Sequence, residues 1–252
     1  MAVKLQHLVD CADTLLQPDL FQDYCPNGLQ VQGRDEVATL VSGVTACQSL
    51  IDRAIESGAD AILVHHGYFW TNEDPRVVGM KRNRLSALLC NGISLLVYHL
   101  PLDAHPLVGN NAQLAARLGI TVTGGLEWTE RSVGNVGIFE QALPVGELST
   151  LVTRQLGRQP LVIPAGEHPV KRIAWCTGAA QDDIEQAAAL GVDAFLSGEI
   201  SEPTVHIARE LGVHYIAAGH HATERYGVQA LGEYLAGQLA INHQFIDIDN
   251  PV

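Results

Sequence analysis

The sequence lacks the features of a disulfide-linked or membrane-spanning protein. Its 252 residues include five scattered cysteines and no C-x-x-C pair. We therefore expect reduced thiols that behave as small core residues, as in a cytoplasmic protein. The first residues mix charged side chains into their apolar positions, which argues against a secretory signal. No apolar run is long enough to cross a bilayer, so no membrane association is expected.

Positive charge is also scarce. The chain has 15 Lys and Arg against 28 Asp and Glu, which gives a net charge of -13 at pH 7. Nucleic acid and anionic lipid repel such a protein, so binding to nucleic acid is disfavoured. One basic cluster, "MKRNRL", contains Lys81, Arg82 and Arg84. These side chains could hold phosphate groups, although a solvated helix start explains them slightly better.

Several common catalytic motifs are missing. The sequence contains no Walker-type loop and no G-x-G-x-x-G loop that could bind phosphate through backbone amides. No Ser-His-Asp or Cys-His arrangement is visible from the spacing of the residues. Any catalytic chemistry must therefore come from another set of side chains.

Apolar segments alternate with helical patterns along the whole chain. In the first half, "TLVSGVTA", "ADAILVHHG" and "ISLLVYHL" predict strands, and amphipathic segments between them predict helices. In the second half, "RIAWCTG", "VDAFLSGEI" and "VHYIAAGHH" repeat this order. Uninterrupted apolar strands are typical of sheets that helices cover on both faces. The pattern predicts an α/β fold with mostly parallel sheets.

The two halves also resemble each other in sequence. Residues 45–66 placed on 178–199 share eight identities without a gap, including the pattern G-x-D-A-x-L. An internal repeat explains this better than shared β-α-β composition alone. We therefore predict two similar, interlocked α/β lobes, 1–125 and 126–252, with an approximate boundary.

Five of the eleven histidines have no acidic partner at ligand spacing near a strand end. Those five are interpreted as surface or helix-face residues: His7, His168, His206, His214 and His243. The candidate ligands instead follow predicted strands, where open α/β sheets bind their ligands. They are His65 and His66, His99 with Asp103, Glu199, and His220 and His221 with Glu224.

The spacing and chemistry of these side chains favour a metal site. His220 and Glu224 are four residues apart at a helix start, so both can face one point. His99 and Asp103 have the same spacing, but Pro101 predicts a turn between them. Imidazole and carboxylate without thiolate suit Zn, Fe, Mn or Ni. The set contains more ligands than one tetrahedral zinc ion needs. It would suit two divalent metal ions, with Glu224 as a bridging ligand between them. The alternative is that these histidines cap backbone carbonyls.

Two further polar stretches are less informative. "DYCPNGLQVQG" contains an ordinary turn signal, and a role for Asn27 in contacting a substrate is the less favoured interpretation. In "GNNAQLAARLG", Asn110 and Asn111 are possible helix caps.

Five motifs together resemble a known family. "PNGLQV", "GADAILVHHGYFW", "YHLPLDAHPLVGNNAQLA", "GVDAFLSGEI" and "AAGHHATER" are similar, in order and spacing, to the dinuclear-metal Nif-three-like family, also called the GTP cyclohydrolase 1 type 2 family. The resemblance runs from about residue 20 to "FIDIDNP". It implies two similar lobes with two divalent ions in the cleft between them, and a homohexamer ring. The implied metal ligands are His65, His66, Asp103, His220 and Glu224, with His99 as a less secure sixth.

Two functions are consistent with this ligand set. The first is a metal-dependent hydrolase that acts on a nucleotide or related heterocycle, with GTP cyclohydrolase chemistry at C8 of a purine as one form. His99 or His221 could then transfer protons. The second is a non-enzymatic divalent-metal carrier that delivers ions to partners. A ring that acts on DNA is disfavoured by the net charge of -13.

Overall fold

The computed structural model describes residues 2–127 and 131–252. Up to residue 127 the elements are β1 (Val3–Lys4), α1 (Leu5–Leu16), β2 (Gly28–Val31), β3 (Glu36–Val37), β4 (Thr39–Thr45), α2 (Gln48–Glu56), β5 (Ala61–His66), α3 (Gly79–Asn91), β6 (Ser94–Val97), α4 (Leu100–Ala104), α5 (Asn110–Leu118) and β7 (Thr121–Gly125). From residue 131 they are β8 (Asn135–Leu143), α6 (Val145–Leu156), β9 (Leu161–Ile163), β10 (Val170–Cys176), α7 (Ile184–Ala189), β11 (Ala194–Ser197), α8 (Glu202–Leu211), β12 (His214–Ala217), α9 (His220–Leu239) and β13 (Asn242–Phe245).

The chain divides into two compact units. The first comprises Met1–Leu102 and Gly227–Asp249, and the second comprises Asp103–Tyr226 and Asn250–Val252. This division differs from the predicted lobes, 1–125 and 126–252. The prediction followed the repeat along the chain, whereas β13 near the C-terminus pairs with β4 and so returns to the first unit.

The first unit contains a five-stranded sheet in the order β13-β4-β5-β6-β2. The first four strands are parallel, and β2 joins the edge antiparallel. Ala61–Val64 of β5 is fully buried, as expected for a central strand covered on both faces. Side chains of α2 and α3, including Leu50, Ile51 and Leu88, pack in the same core cluster as Ile62 of β5. β1 and β3 form a separate antiparallel pair.

The second unit contains a six-stranded sheet in the order β7-β8-β10-β11-β12-β9. Only β10, β11 and β12 are parallel to one another; the other three pairs are antiparallel. The α/β class is confirmed, but the mostly parallel arrangement describes the first unit better than the second. The connection from β7 to β8 is too short for the crossover that parallel neighbours require.

Each unit contains a parallel β-α-β-α-β segment in the register that the repeat predicted. β5 and β11 begin at Ala61 and Ala194, which are aligned residues of the repeat. Each of these residues pairs with the first residue of the next parallel strand: Ala61 with Ser94 of β6, and Ala194 with His214 of β12. The equivalent strands therefore start at equivalent points. β5 ends at His66, so His65 and His66 lie at its end, whereas β11 ends at Ser197 and Glu199 follows it.

The cysteines and helices can be compared with the expectations from composition. All five cysteines are free, but only Cys25 and Cys176 are buried and Cys90 is exposed. The expectation of small core residues therefore holds for two of them. Across residues 2–127 and 131–252, no helix combines the length and apolar character needed to span a membrane.

Candidate metal centre

Three histidines of the first unit gather at the carboxyl ends of β5 and β6. His65 and His66 end β5, His99 follows β6, and one ligand nitrogen from each lies within 4.8 Å of the others. The ring centroid of His65 is 4.6 Å from that of His66 and 5.0 Å from that of His99. Three predicted ligands from neighbouring parallel strands are thus brought together within this unit.

The hydrogen bond of His65 determines which of its nitrogens can bind a metal. His65 is fully buried, and its Nδ1 lies 2.9 Å from the carbonyl oxygen of Tyr98. A carbonyl only accepts, so Nδ1 carries the proton and Nε2 holds the lone pair of the neutral ring. Such a bond commonly orients metal-binding histidines. The sequence analysis gave as its alternative that these histidines cap backbone carbonyls. His65 does bind the carbonyl of Tyr98, but this hydrogen bond involves only Nδ1.

The adjacent histidines lie closer than strand alternation suggests. Side chains of neighbouring strand residues point to opposite faces, yet these rings are only 4.6 Å apart. β5 ends at His66, and Gly67 follows with no side chain. A Cβ at Gly67 would lie 2.3 Å from Val97 Cγ2, so glycine lets the chain pass close to β6. Both rings therefore belong to one cluster of ligand atoms, together with His99.

His99 is oriented by an aspartate that the sequence analysis did not identify. Its Nδ1 lies 2.7 Å from Asp23 Oδ1. Asp23 also accepts hydrogen bonds from Asn27 Nδ2 at 2.8 Å and from the backbone amide of Leu100 at 2.9 Å. Burial opposes ionisation of Asp23, but the hydrogen bonds from His99 and Asn27 lower the pKa of its carboxyl to about 2. Asp23 is therefore a carboxylate that holds the proton of His99 on Nδ1 and leaves Nε2 for a ligand.

Two nearby residues have structural roles. Asn27 was a weak candidate for substrate contact, but its Oδ1 accepts a hydrogen bond from the backbone amide of His99 at 2.8 Å. The sulfur of Cys25 lies within 4.8 Å of ligand atoms of Asp23 and His99. Burial, together with the negative charge of Asp23, raises the pKa of the Cys25 thiol to about 12, so this sulfur is a neutral thiol.

The segment that leads from His99 to Asp103 is helical, whereas the sequence analysis predicted a turn. α4 spans Leu100–Ala104 and includes Pro101 in its first turn. First-turn amides have no partner within the helix, so the missing N–H of proline costs nothing there. The prediction of a turn at Pro101 was wrong for this reason.

Two buried carboxylates lie together in the second unit. Asp103 and Glu224 are 5% and 3% exposed, and a ligand oxygen of each lies within 4.8 Å of the other. Asp103 Oδ1 accepts hydrogen bonds from Asn110 Nδ2 at 2.8 Å and Thr177 Oγ1 at 3.3 Å. Two ionised carboxylates at this separation repel each other, and a divalent cation would offset that repulsion. This donor chemistry fits a metal ion.

The sequence analysis considered the two asparagines at the start of α5 as possible helix caps. The structure gives them another role. Gly109 occupies the cap position, with no side-chain hydrogen bond. Asn110 instead binds Asp103. Asn111 donates to the carbonyl oxygens of Asp103 and Val133. Both asparagines are buried, and they position Asp103 and its surroundings.

His220 lies between two glutamates at the start of α9. Its Nε2 is 3.1 Å from Glu224 Oε2, one helical turn later, as the spacing predicted. Its Nδ1 is 2.7 Å from Glu199 Oε1. Burial opposes protonation of His220, but the hydrogen bonds and charges of Glu224 and Glu199 raise its pKa to about 9. The imidazole thus lies in a strongly negative environment that attracts cations. Glu199, a strand-end candidate, contacts His220 directly.

His221 is the one strand-end histidine with a different position. It is buried, and its backbone amide donates to the carbonyl oxygen of Val252 at 3.0 Å. Within the described ranges, none of the groups of close ligand atoms includes His221. α9 begins at His220, so His221 lies in its first turn.

Gly178 provides room for the side chains of Glu224 and His220. A Cβ at Gly178 would lie 2.2 Å from Glu224 Oε1 and 3.3 Å from His220 Nε2. Gly178 also has a φ of +70°, in the left-handed region that favours glycine. Any other residue at this position would displace the carboxylate.

We therefore expect Gly178→Ala to weaken metal binding far more than Gly191→Ala. Gly191 has nearly the same φ, +69°, but a Cβ there meets nothing within 4 Å. Both variants should lose about 1–2 kcal/mol of stability from the left-handed backbone. Only Gly178→Ala should also lower metal affinity, by about 10-fold or more, since Glu224 must move. Thermal unfolding and metal titration measure the two effects; equal metal affinity in the two variants would contradict the role of Gly178.

Two strand histidines that were interpreted as surface or helix-face residues, His214 and His243, are at least partly buried, and so is His168. His214 is fully buried in β12, stacks on His168 with ring centroids 4.2 Å apart, and accepts a hydrogen bond from the amide of Ala165. His243 Nε2 lies 2.7 Å from Ser42 Oγ. Their strand positions explain the burial, and each has a structural partner.

Comparisons with known proteins identify the family of this chain. The family model described as Duf34/NIF3 (NGG1p interacting factor 3) matches residues 3–251. The chain belongs to the Duf34/NIF3 family. A Pseudomonas aeruginosa protein named GTP cyclohydrolase 1 type 2 homolog is 58% identical over 252 residues, which is 100% of each chain. An Escherichia coli protein of the same name is 53% identical over 234 residues, 91% of this chain and 92% of the relative.

Solved structures of similar chains show the same fold. A structure described as protein ybgI, of unknown function, has a TM-score of 0.96 and 50% identity, and covers 99% of this chain and 100% of its own. The structure of TTHA1606 from Thermus thermophilus has a TM-score of 0.90 and 31% identity, with 99% and 100% coverage.

In this Duf34/NIF3 chain, sequence reasoning missed Asp23, Thr177 and Gly178. Asp23 precedes β2 and carries no motif, so only its contact with His99 reveals it. Thr177 and Gly178 end "RIAWCTG", at a strand end equivalent to those already considered. The rule that ligands bind at strand ends could have identified that stretch, but its side chains are not metal ligands.

Proposed function

We propose that this Duf34/NIF3 protein is a metal-dependent hydrolase with a two-ion site. Its substrate class is a nucleotide or related heterocycle, with chemistry like that of GTP cyclohydrolase type 2. The proposed metal ligands are His65, His66, His99, Asp103, His220 and Glu224. The names of the curated relatives support the substrate class, and the family resemblance supports the ligand set.

The observation that carries this proposal is that each unit gathers its share of the ligands. Three imidazoles lie together in the first unit, and two buried carboxylates with an imidazole lie together in the second. Nitrogen and oxygen donors of this kind suit Zn, Fe, Mn or Ni. The set is larger than one tetrahedral site needs, which supports two ions.

The side chains around the ligands have defined roles in this proposal. Bound divalent ions activate water at neutral pH and offset negative charge on a substrate. Asp23 accepts a hydrogen bond from Nδ1 of His99, and Glu199 accepts one from Nδ1 of His220, so Nε2 of each ring faces the proposed site. At His220 a bound cation would replace the Nε2 proton that otherwise faces Glu224. Thr177 and Asn110 hold the carboxylate of Asp103 in one orientation. The proposal also includes a homohexamer, as the family resemblance implies, and a cytoplasmic location, as expected from the scattered cysteines.

The test is metal analysis followed by a substrate screen. Protein purified without chelator should contain about two divalent ions per chain. Protein reloaded with Zn, Fe, Mn or Ni should hydrolyse GTP or a related compound, whereas chelated protein should not. Absence of turnover with every loaded metal and every nucleotide tested would overturn the hydrolase. Bound ions that exchange rapidly, without turnover, would instead support the metal carrier.

A further inference from the structure

Lys81, the first basic residue of the cluster at 81–84, is poorly placed to bind phosphate. Lys81 is only 9% exposed, and its Nζ lies 3.1 Å from Glu73 Oε1 and 3.1 Å from the carbonyl oxygen of Asp74. It therefore has an internal partner of opposite charge, and the expectation of a solvated helix start is wrong for Lys81. A substrate that carries phosphate groups needs cationic partners elsewhere.

Two arginines of the second unit lack a partner of opposite charge. Elsewhere in the chain, Arg34 pairs with Asp60 at 2.9 Å. The side chains of Arg117 and Arg158 are half-buried, yet neither makes a hydrogen bond or ion pair with any residue in 2–127 or 131–252. Half-buried charge is costly without a counter-ion. These two guanidinium groups are therefore candidates for binding an anion.

A tyrosine organises the surroundings of Arg117. The Cζ atom of Arg117 lies 3.5 Å from the ring centroid of Tyr226, and that of Arg225 lies 5.3 Å from it. Arg225 Nη2 donates to the carbonyl oxygen of Leu156 at 2.5 Å and to Tyr226 Oη at 3.1 Å. Stacking on an aromatic ring holds a guanidinium in place but does not use its hydrogen-bond donors.

Arg158 lies close to the start of α9, which carries two proposed metal ligands. It follows Leu156 by two residues, so it belongs to the chain segment that Arg225 contacts. A Cβ at Gly219 would lie 2.2 Å from Arg158 Nη1, which shows how closely the guanidinium approaches this glycine. Gly219 directly precedes His220, and Arg225 directly follows Glu224.

We propose that Arg117 and Arg158 form an anion site that binds the phosphate groups of the substrate. Like charges held in one region repel each other, and a phosphate offsets that repulsion. The planar guanidinium matches phosphate oxygens in geometry as well as charge. Electrostatic attraction at this site also compensates for the net charge of -13, which otherwise repels an anionic substrate. The link to a substrate rests on the proposed function.

The first experiment measures anion binding to metal-free protein, so that bound ions cannot contribute. Calorimetric titrations compare pyrophosphate, inorganic phosphate, GTP and guanosine. Pyrophosphate and GTP should bind, with affinity that falls as salt rises, and guanosine should bind more weakly by about 10-fold or more. Binding of the inorganic anions without GTP would indicate a site for free phosphate and would overturn the assignment to substrate. Absence of binding by every anion would overturn the site itself.

The second experiment assigns the binding to these arginines. Arg158→Ala should weaken GTP binding about 10- to 100-fold, the range expected for hydrogen bonds to a charged group. Arg154→Ala is the matched control, because Arg154 is an exposed arginine on α6 in the same segment. Equal affinity in the two variants would overturn the proposal. If circular dichroism shows that Arg158→Ala does not fold, Arg117→Gln replaces it with the same expectation.

The two proposals fail in different ways. Metal-loaded protein that hydrolyses a nucleotide at the same rate with Arg158→Ala would refute the anion site but leave the hydrolase intact. GTP binding that depends on Arg158, in protein that turns over no nucleotide with any metal, would refute the hydrolase and leave the anion site intact.

Discussion

Glu224→Gln is expected to remove bound metal and to lower turnover by more than about 100-fold, beyond the usual effect of losing an outer-shell partner. Glutamine keeps the size of the side chain but removes its negative charge. Glu224 is 3% exposed, lies 3.1 Å from His220 Nε2, and shares its surroundings with Asp103. A neutral amide there is a poor ligand for a divalent ion, and no nearby solvent can compensate.

Glu233→Gln is the matched control for this prediction. Glu233 lies on the same helix, α9, but is exposed and accepts a hydrogen bond from Gln229. Its substitution should leave metal content and turnover unchanged. Metal content is measured by mass spectrometry on purified protein, and turnover with the reloaded enzyme. Full occupancy and full turnover in Glu224→Gln would exclude Glu224 as a ligand.

Asp23→Asn is expected to weaken metal binding by about 10- to 100-fold, the effect typical of a lost outer-shell carboxylate. The aspartate accepts a hydrogen bond from His99 Nδ1, which lies 2.7 Å from its Oδ1. It accepts another from the backbone amide of Leu100. An asparagine can replace only part of this arrangement, because one of its two terminal atoms is a donor. His99 then loses its fixed orientation and part of its basicity as a ligand.

Asp19→Asn provides the comparison, because Asp19 is an exposed aspartate only four residues earlier. Competition with a metal-binding dye gives the affinity of each variant. Thermal unfolding of the metal-free proteins separates a general loss of stability from a specific loss of affinity. Metal affinity of Asp23→Asn within about twofold of the wild type would show that His99 does not depend on this carboxylate.

The sequence is most informative where burial leaves one choice of structure. The apolar runs that became β5, β11 and β12 are buried along their whole lengths, so no alternation is needed to identify them. The 3.6-residue spacing identifies α1 as clearly, and the repeat places Ala61 and Ala194 at equivalent strand starts. The candidate ligands follow from these strands, because ligands bind at their carboxyl ends.

Long-range contacts explain what the sequence could not show. β2 is a short antiparallel edge strand, and its turn signals, Pro26 to Gly28, conceal it. Asp23 becomes important only because the fold brings it to His99, 76 residues later in the chain. Asn110 resembles a helix cap until Asp103 is found beside it. In each case the deciding partner lies outside the local pattern.

The strand order of the first unit has a consequence for protein synthesis. β13 forms one edge of its sheet by pairing with β4, and Ile246 packs in the same core as Leu50. Residues 242–246 leave the ribosome after every residue of the second sheet. Domains usually fold from the N-terminus as they emerge, but this unit, although translated first, completes its sheet last. Its nascent form must therefore expose the edge of β4 until residues 242–246 have been synthesised.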